Sequence, residues 1–371
     1  MDFIPVNEPL LDGNEKKYLC ECIDTGWISS EGPFVREFEQ KMCMTVGRRY
    51  GIAVSNGTAA LEVAAQALGI GEGDEVIMPT FTIISCAMAV TKLGAVPVLI
   101  DSDPFTWNMK TEEIEARITD KTKAIMIVHL YGLPAAVDDV LALAKKYHLK
   151  VIEDAAEMHG QTYRGKPCGS FGDISTFSFY PNKHITTGEG GMVVTDNEEL
   201  AERCRSLRNL CFRQDIRYVH DEISGNYRFT NLQAAVGLAQ LERLDEFVER
   251  KRAMGSYYTE KLQGIEGLRF PVAKTEDADN IYWVYGLVLD ETIQIDNKTV
   301  QKCLAEKGIG TRTFFWCIHE QPVYQKRGLF HGEKYPDAEY LARKGFYIPS
   351  GLALTREQMD RVVIALKEVL E

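Results

Sequence analysis

The sequence lacks the features of proteins that span membranes, bind nucleic acids or enter a secretory route. None of its apolar runs reaches the roughly eighteen residues that a bilayer-spanning helix needs, and the first residues have no basic stretch followed by an apolar one. Positive charge is in deficit, since 42 lysines and arginines face 54 acids and leave a net charge of −12. This balance argues against a polyanion-binding surface but permits a local phosphate pocket. We therefore expect a cytoplasmic protein without nucleic-acid or membrane partners.

Paired metal-binding and disulfide motifs are also missing. The nine cysteines are scattered, no CxxC pair recurs, and only seven histidines are present. This pattern predicts no metal site. Unpaired cysteines in apolar surroundings, such as Cys86 and Cys317, are typical of a reducing compartment. No internal repeat or low-complexity tract interrupts the chain.

What the 371 residues do contain is a regular alternation of strand and helix patterns, with 45% hydrophobic residues to build a core. Strands are predicted at Glu75–Met78, Val96–Ile100, Lys123–His129 and Val151–Asp154. Helices are predicted between them at Ser85–Leu93 and Val137–His148. Continuous apolar strands indicate burial on both faces and hence a mostly parallel sheet. The polar residues Asp101, His129 and Asp154 fall at strand carboxyl ends, where such sheets carry their functional sites.

A shift in composition predicts a second, smaller domain. A helix of about twenty residues is expected after Asn231, and the charged helix Leu241–Arg252 leads into a region with fewer strand signals. This region has predicted strands at Tyr282–Leu289 and Gly310–Phe315 and a closing helix at Arg356–Leu370. We expect a large domain of residues 1–248 and a small α+β domain of residues 249–371.

One lysine stands out by its position. The apolar run Ile174–Tyr180 predicts a buried strand, and the segment that follows it delivers Lys183 just before the glycine-rich turn Gly188-Glu-Gly-Gly191. A lysine between a buried strand and a tight turn is a candidate for a lowered pKa and for nucleophilic chemistry. A surface lysine in an ordinary loop is the alternative.

Two further segments contain groups that could bind a charged ligand. Ser55-Asn-Gly-Thr58 links a short strand to the helix Ala59–Leu68, and backbone N–H groups at a helix start bind anions. An ordinary helix cap is the alternative. Asp154 ends a buried strand, where a carboxylate is unfavourable unless it meets a cation. For Asp154 as well, a helix cap is the alternative.

Several of these segments resemble one known family. Ser178, Asn182-Lys183 and Thr186-Thr-Gly-Glu-Gly-Gly191 are similar to the lysine segment of the DegT/DnrJ/EryC1/StrS family of pyridoxal-phosphate sugar aminotransferases, and the resemblance runs from Ile4 to about Leu370. It implies a type I pyridoxal-phosphate-dependent (aspartate aminotransferase-like) α/β fold and a homodimer with the active site at its interface. The implied amino donor is L-glutamate. The implied acceptor is a nucleotide-linked 4-keto-6-deoxy-hexose of a surface polysaccharide pathway, GDP-linked first, with TDP- or UDP-linked sugars as the alternative.

The resemblance also assigns roles to residues. The catalytic pair is Lys183, which holds the coenzyme and moves protons, and Asp154, which faces the ring nitrogen. The other implied cofactor-binding residues are Gly57, Thr58, Ile83, Glu157, Ser178 and Asn226, of which Asn226 reaches the cofactor of the partner subunit. The implied substrate-binding residues are Trp27, Ser29, Arg228, Arg312 and His319.

The chain departs from the family pattern in Pro79-Thr-Phe-Thr-Ile-Ile84. The family usually has an aromatic residue at position 83 to stack on the ring, a term of about 0.5–1.5 kcal/mol. With Ile83 there, we expect adequate rather than unusually tight cofactor binding. Phe81 is a substitute only if the segment is extended.

Two rival functions keep the same fold. Dehydratases of the family carry histidine in place of the lysine, and His184 directly follows Lys183 here. A non-catalytic regulator or scaffold is the other rival.

Overall fold

The computed structural model describes residues 2–213, 215–216 and 218–370. Its α-helices are α1 (Glu15–Thr25), α2 (Pro33–Val46), α3 (Gly57–Ala67), α4 (Ser85–Thr91), α5 (Val137–Tyr147), α6 (Glu198–Arg208), α7 (Asn231–Leu241), α8 (Leu244–Leu262), α9 (Asn297–Glu306), α10 (Pro322–Gln325), α11 (Pro336–Lys344) and α12 (Arg356–Leu370). Its strands are β1 (Tyr50–Val54), β2 (Glu75–Pro79), β3 (Val96–Ile100), β4 (Thr122–Val128), β5 (Lys150–Asp154), β6 (Thr162–Tyr163), β7 (Lys166–Pro167), β8 (Ile174–Ser178), β9 (Gly191–Thr195), β10 (Leu268–Arg269), β11 (Tyr285–Leu289), β12 (Arg312–Thr313) and β13 (Gly345–Ile348).

Seven strands form a mixed sheet in the order β1-β9-β8-β5-β4-β2-β3. Only β9 runs against its neighbours, so the sheet is mostly parallel. Adjacent residues of one strand enter different cores: Ile52 packs with α3 on one face, whereas Ala53 packs with α2 and α7 on the other. The predicted α/β fold, with apolar strands buried on both faces, is confirmed.

A second, antiparallel sheet has the order β10-β11-β13-β12 and its own core. The N-terminal arm joins this core, because Ile4 is buried in it and exchanges backbone hydrogen bonds with Gly308 and Gly310, each 2.8 Å long. An extended arm needs a strand partner for its backbone groups, and it finds one here. The arm therefore contacts the core of the second sheet, and the division into residues 1–248 and 249–371 stays a prediction.

Two predicted elements differ in the structure. The single helix expected after Asn231 is two helices, since α7 ends at Leu241 and α8 begins at Leu244. The predicted boundary at residue 248 therefore falls inside α8. The strand expected from Tyr282 begins only at Tyr285, because Tyr282 has a positive φ of 48° that no strand accommodates.

Among the described residues, none of the helices is both long and apolar enough to cross a bilayer.

Candidate active site

A cavity of about 780 Å³ opens where β4, β5 and β8 end. The carboxyl ends of parallel strands meet at one sheet edge, so residues far apart in sequence converge there. Seven of the residues to which the resemblance assigns a role line this cavity: Gly57, Thr58, Ile83, Asp154, Glu157, Ser178 and Lys183.

Lys183 lies in the turn after β8, with its side chain only 9% exposed. Its Nζ is 3.8 Å from the centroid of the Trp283 ring and 3.7 Å from Glu157 Oε1. Burial lowers the pKa of Lys183, and the nearby Glu157 carboxylate opposes this shift. Trp283 also holds the lysine segment in place, because its Nε1 donates to the Asn182 carbonyl at 2.8 Å.

Asp154 ends β5 and is buried. Its Oδ1 accepts from the Ala156 N–H at 3.0 Å and its Oδ2 from the Cys86 thiol at 3.3 Å. Burial raises the pKa of Asp154, and the two hydrogen bonds oppose this shift. Within the described part of the chain Asp154 has no ion-pair partner, although it faces a cavity. A cationic group in that cavity would offset the unfavourable burial of the carboxylate.

Glu157 is the second buried carboxyl of the wall. Its Oε2 accepts a 2.6 Å hydrogen bond from the Tyr131 N–H, and Oε1 faces Lys183. Burial raises the pKa of Glu157 to about 8, with Lys183 pulling in the opposite direction. Sequence reasoning placed Glu157 beside the cofactor but did not foresee this proximity to the lysine amine.

The start of α3 forms the opposite end of the cavity. Asn56 caps the helix by accepting from the Ala59 N–H at 2.8 Å, and the Thr58 and Ser85 hydroxyls lie 2.9 Å apart. A Cβ on Gly57 would come within 2.7 Å of Ser178 Cβ, so only glycine leaves this turn open. The first N–H groups of a helix have no partner within it and bind anions.

Phe81 does not replace Ile83 at the cavity. Phe81 is 0% exposed and packs against Tyr131 and Phe315, whereas Ile83 lines the cavity with 43% of its surface exposed. The aliphatic side chain is therefore the one available to face a bound ring.

Sequence reasoning missed an aromatic wall of the cavity. Phe315, Trp283 and Tyr347 line the cavity, and behind them Tyr131 stacks on Trp283 at 5.8 Å and 16° and on Phe315 at 5.4 Å and 14°. The density of aromatic residues around positions 282–285 and 314–316 was the available signal. It did not show that these segments fold over the lysine.

His319 is the residue expected at the sugar end of the cleft. It is 3% exposed and does not line the cavity. Its Nδ1 is 2.8 Å from Thr80 Oγ1 and its Nε2 is 3.2 Å from Glu339 Oε1. With both ring nitrogens engaged, His319 cross-links the end of β2 to α11. Its expected role at the sugar end of the cleft stays a prediction.

Four other residues from the sequence lie outside the cavity of this chain. Asn226 bridges to Asn209, and Arg228 donates to the Asn209 side chain at 2.7 Å. The Trp27 and Ser29 carbonyls both accept from Asn231, so these residues lie beside the start of α7.

Arg312 is exposed on β12. It pairs in register with Tyr347 of the aromatic wall. Arg312 therefore lies beside the cavity without lining it.

His184 points away from the cavity. It is fully buried, and its Nε2 lies 3.1 Å from the Ile281 carbonyl. Burial holds the pKa of His184 well below its usual range. A catalytic base needs access to the reacting atoms, which His184 does not have in this arrangement.

Comparison with known proteins gives one consistent result. The model of the DegT/DnrJ/EryC1/StrS aminotransferase family matches residues 9–367. The chain is 44% identical over 368 residues to GDP-perosamine synthase of Escherichia coli O157:H7, which covers 99% of each protein. It is also 44% identical over 369 residues to GDP-perosamine synthase of Caulobacter vibrioides, covering 99% of this chain and 98% of that protein.

Solved structures agree. DesV of S. venezuelae matches with a TM-score of 0.89 and 34% identity, over 96% of this chain and 94% of that one. DesI, solved in the presence of its TDP-sugar product, matches with a TM-score of 0.89 and 30% identity, over 99% of this chain and 92% of that one.

Proposed function

The chain belongs to the DegT/DnrJ/EryC1/StrS aminotransferase family of pyridoxal-phosphate-dependent enzymes, and on that premise we propose that it transfers the amino group of L-glutamate to C4 of GDP-4-keto-6-deoxy-D-mannose, forming GDP-perosamine. The observation that carries this choice of substrate is the 44% identity to two GDP-perosamine synthases over 99% of the chain. The cavity supports the chemistry, because it brings a buried amine and a buried carboxylate to one wall.

The residues of the cavity fit pyridoxal phosphate. We assign the ring nitrogen to Asp154, whose carboxylate lacks a cation, and the aldehyde carbon to the Lys183 amine. The phosphate is assigned to the start of α3, with Gly57, Thr58 and Ser178 as its contacts, where a Cβ on Gly57 would fill the space. When bound, pyridoxal phosphate acts as an electron sink that makes a proton on the amino-bearing carbon acidic.

The protein side chains then have separate tasks. Asp154 keeps a proton on the ring nitrogen by remaining a carboxylate beside it. The Lys183 amine, whose pKa burial lowers, is the base that carries a proton between the substrate carbon and C4′ of the coenzyme. Ile83, Trp283 and Phe315 supply apolar surface to the cavity, which we propose excludes water from the bound ring.

The remaining predicted contacts require a second copy of the chain. We propose a homodimer in which Asn226, Arg228, Trp27 and Ser29 of each subunit complete the site of the other. Exposed apolar side chains on the same segments support this arrangement, since Trp27 is 50% and Ile223 94% exposed. Arg312, exposed beside the aromatic wall, is our candidate for the sugar-nucleotide diphosphate within the same subunit.

We also propose that the reaction takes place in the cytoplasm. The nine cysteines all lie in the described part of the chain, and all of them are free thiols there. Free thiols persist in a reducing compartment.

A TDP- or UDP-linked 4-keto-6-deoxy sugar is the second candidate acceptor. The similarity to DesI, which was solved with a TDP-sugar product, favours this alternative. The amino transfer itself would be unchanged.

The experiment has two stages. The purified protein is loaded with pyridoxal phosphate, L-glutamate is added, and a shift of the coenzyme absorbance is expected. The aminated form then receives GDP-, TDP- and UDP-linked keto sugars in turn, and we expect the fastest return of the original band with the GDP-linked sugar. Failure to bind the coenzyme would support the rival function of a non-catalytic regulator or scaffold. Turnover of the keto sugar by Lys183→Ala would support the dehydratase.

A further inference from the structure

The cavity holds one buried amine and two buried carboxyls, and their hydrogen bonds divide them into two kinds. Both oxygens of Asp154 already accept from donors of the protein, the Ala156 N–H and the Cys86 thiol. Glu157 has one oxygen on the Tyr131 N–H, while its other oxygen faces Lys183. Glu157 is thus the carboxyl with an oxygen directed at the reacting amine.

Resting on the proposed function, we propose that Glu157 is the proton partner of Lys183: its Oε1 takes the proton that the Nζ ammonium must lose before the amine attacks a carbonyl carbon. The N–H bond at Nζ breaks, an O–H bond forms at Oε1, and the freed lone pair on nitrogen becomes the nucleophile. The reverse transfer, from Oε1 to Nζ, restores the ammonium and the carboxylate once the amine is no longer needed as a nucleophile or base. The net charge of the pair stays at zero throughout, which suits a site that burial isolates from water.

The geometry permits this exchange after a small movement. The two atoms are 3.7 Å apart, so an approach of about 1 Å, or one bridging water, brings them within hydrogen-bond reach. Burial raises the pKa of Glu157 and lowers the pKa of Lys183, so the proton affinities of the two groups approach each other.

The other titratable groups around the pair do not compete for this proton. Burial raises the pKa of the Cys86, Tyr131 and Tyr347 groups and lowers that of the two nearby histidines, so all five are neutral near pH 7. The titratable groups close enough to interact electrostatically with the pair are Asp154, Cys86, Tyr131, Tyr347, His159, His184 and Lys251. Asp154 is assigned to the ring nitrogen. The Lys251 amine donates to the Trp283 and Ser350 carbonyls.

The test measures Lys183 in the coenzyme-free protein. Its amine is labelled with trace acetic anhydride across a pH series, and the labelled peptide is quantified by mass spectrometry. Glu157→Gln removes the charge that holds the ammonium, so the midpoint of Lys183 labelling is expected to fall by about one to three pH units. Glu189→Gln, an exposed carboxyl of the same cavity, is the matched control and should leave the midpoint unchanged.

A second measurement guards against misfolding of that variant. In protein carrying ¹³C-labelled glutamate, one carboxyl should titrate near neutral pH, and Lys183→Met should raise its midpoint. An unchanged labelling midpoint of Lys183 in folded Glu157→Gln would overturn the inference. An unchanged titration midpoint of the Glu157 carboxyl in Lys183→Met would also overturn it. Coenzyme binding is scored separately by absorbance, so a protein that binds none refutes the proposed function instead.

Discussion

The chemistry of this site depends on titratable groups that are buried away from water. Lys183, Asp154 and Glu157 are all buried, and they lie within one wall of the cavity. Each group is therefore governed by its neighbours, because water is not available to stabilise an isolated charge. The catalytic properties of the wall should respond strongly to single changes of charge that barely alter its shape.

Asp154→Asn tests the role of the buried carboxylate. The amide keeps an oxygen to accept from Ala156 but cannot stabilise a protonated ring, so we expect the reaction with glutamate to slow by about 10²- to 10³-fold. Stopped-flow absorbance of the coenzyme-loaded protein measures this rate. The exposed Asp120→Asn is the control, and an unimpaired Asp154→Asn would contradict the assignment.

Lys251 provides a test based on pH and stability. Burial lowers its pKa to about 7 from the usual 10.5, so between these values the unfolded chain binds a proton that the folded chain does not. Stability from this group therefore rises with pH across that window. Relative to Lys251→Met, the wild type should gain about 1.4 kcal/mol of unfolding free energy per pH unit.

Urea unfolding at several pH values between 7.5 and 9.5 measures the difference. Exposed Lys145→Met should show the wild-type dependence. A constant difference between wild type and Lys251→Met would show that Lys251 keeps an ordinary pKa in the folded protein.

The parts of the site that the sequence predicted share a short-range signal. Lys183 follows a buried strand and precedes a glycine turn, and Gly57 stands at a helix start, so local pattern was enough to single them out. Trp283 and Phe315 reach the cavity from segments over 100 residues beyond β5, and no local pattern shows that approach. The contacts of His319 were not predicted, because sequence cannot show that Thr80 and Glu339 lie at its two ring nitrogens.

At the scale of elements, the phosphate end of the cavity depends on the close approach of α3, β8 and β9. A Cβ on Gly191 would lie 2.4 Å from the Asn56 carbonyl oxygen, and one on Gly57 would meet Ser178. The absence of side chains at these two glycines therefore allows the first turn of α3 to lie close to β8 and β9.

Gly57→Ala should close this site. The added methyl must displace Ser178 at a cost of about 1–3 kcal/mol, so we expect affinity for pyridoxal phosphate to fall by roughly tenfold or more. Gly71→Ala is the control, because its Cβ meets nothing within 4 Å. Fluorescence titration measures both affinities. Equal affinities would place the phosphate elsewhere.

Element types were easier to predict than their ends. The strands β2 to β5 were foreseen to within one or two residues because buried parallel strands are continuously apolar. The break between α7 and α8 was missed, since Glu242 and Arg243 are good helix formers. Tertiary contacts occupy this turn: Glu242 accepts from Asn14 and Tyr18, and Arg243 pairs with Asp12.

At the scale of the whole molecule, two sheets and a returning N-terminal arm define the architecture. The arm contacts the C-terminal core, and α8 runs across the predicted boundary at residue 248. We propose that the smaller unit consists of the arm together with the chain from the middle of α8 onward.

The proposed homodimer makes a prediction that only the assembly can meet. Lys183→Ala and Arg228→Ala should each be inactive alone, because both sites of either variant homodimer lack one of the two residues. After subunit exchange in a mixture, one site of each hybrid dimer regains both residues, so activity should return to about a quarter of the wild type. Sedimentation of the mixture would check that the protein is a dimer. Absence of recovery in exchanged dimers would place Arg228 in its own subunit's site.

The seat of Ile4 between Gly308 and Gly310 has a consequence for biosynthesis. A ribosome makes the arm about three hundred residues before the segment that receives it. During translation the opening residues must wait without a partner while some three hundred others are added. Docking of the arm is therefore a late step of folding, and a substitution at Ile4 would disturb that step rather than the early growth of the large sheet.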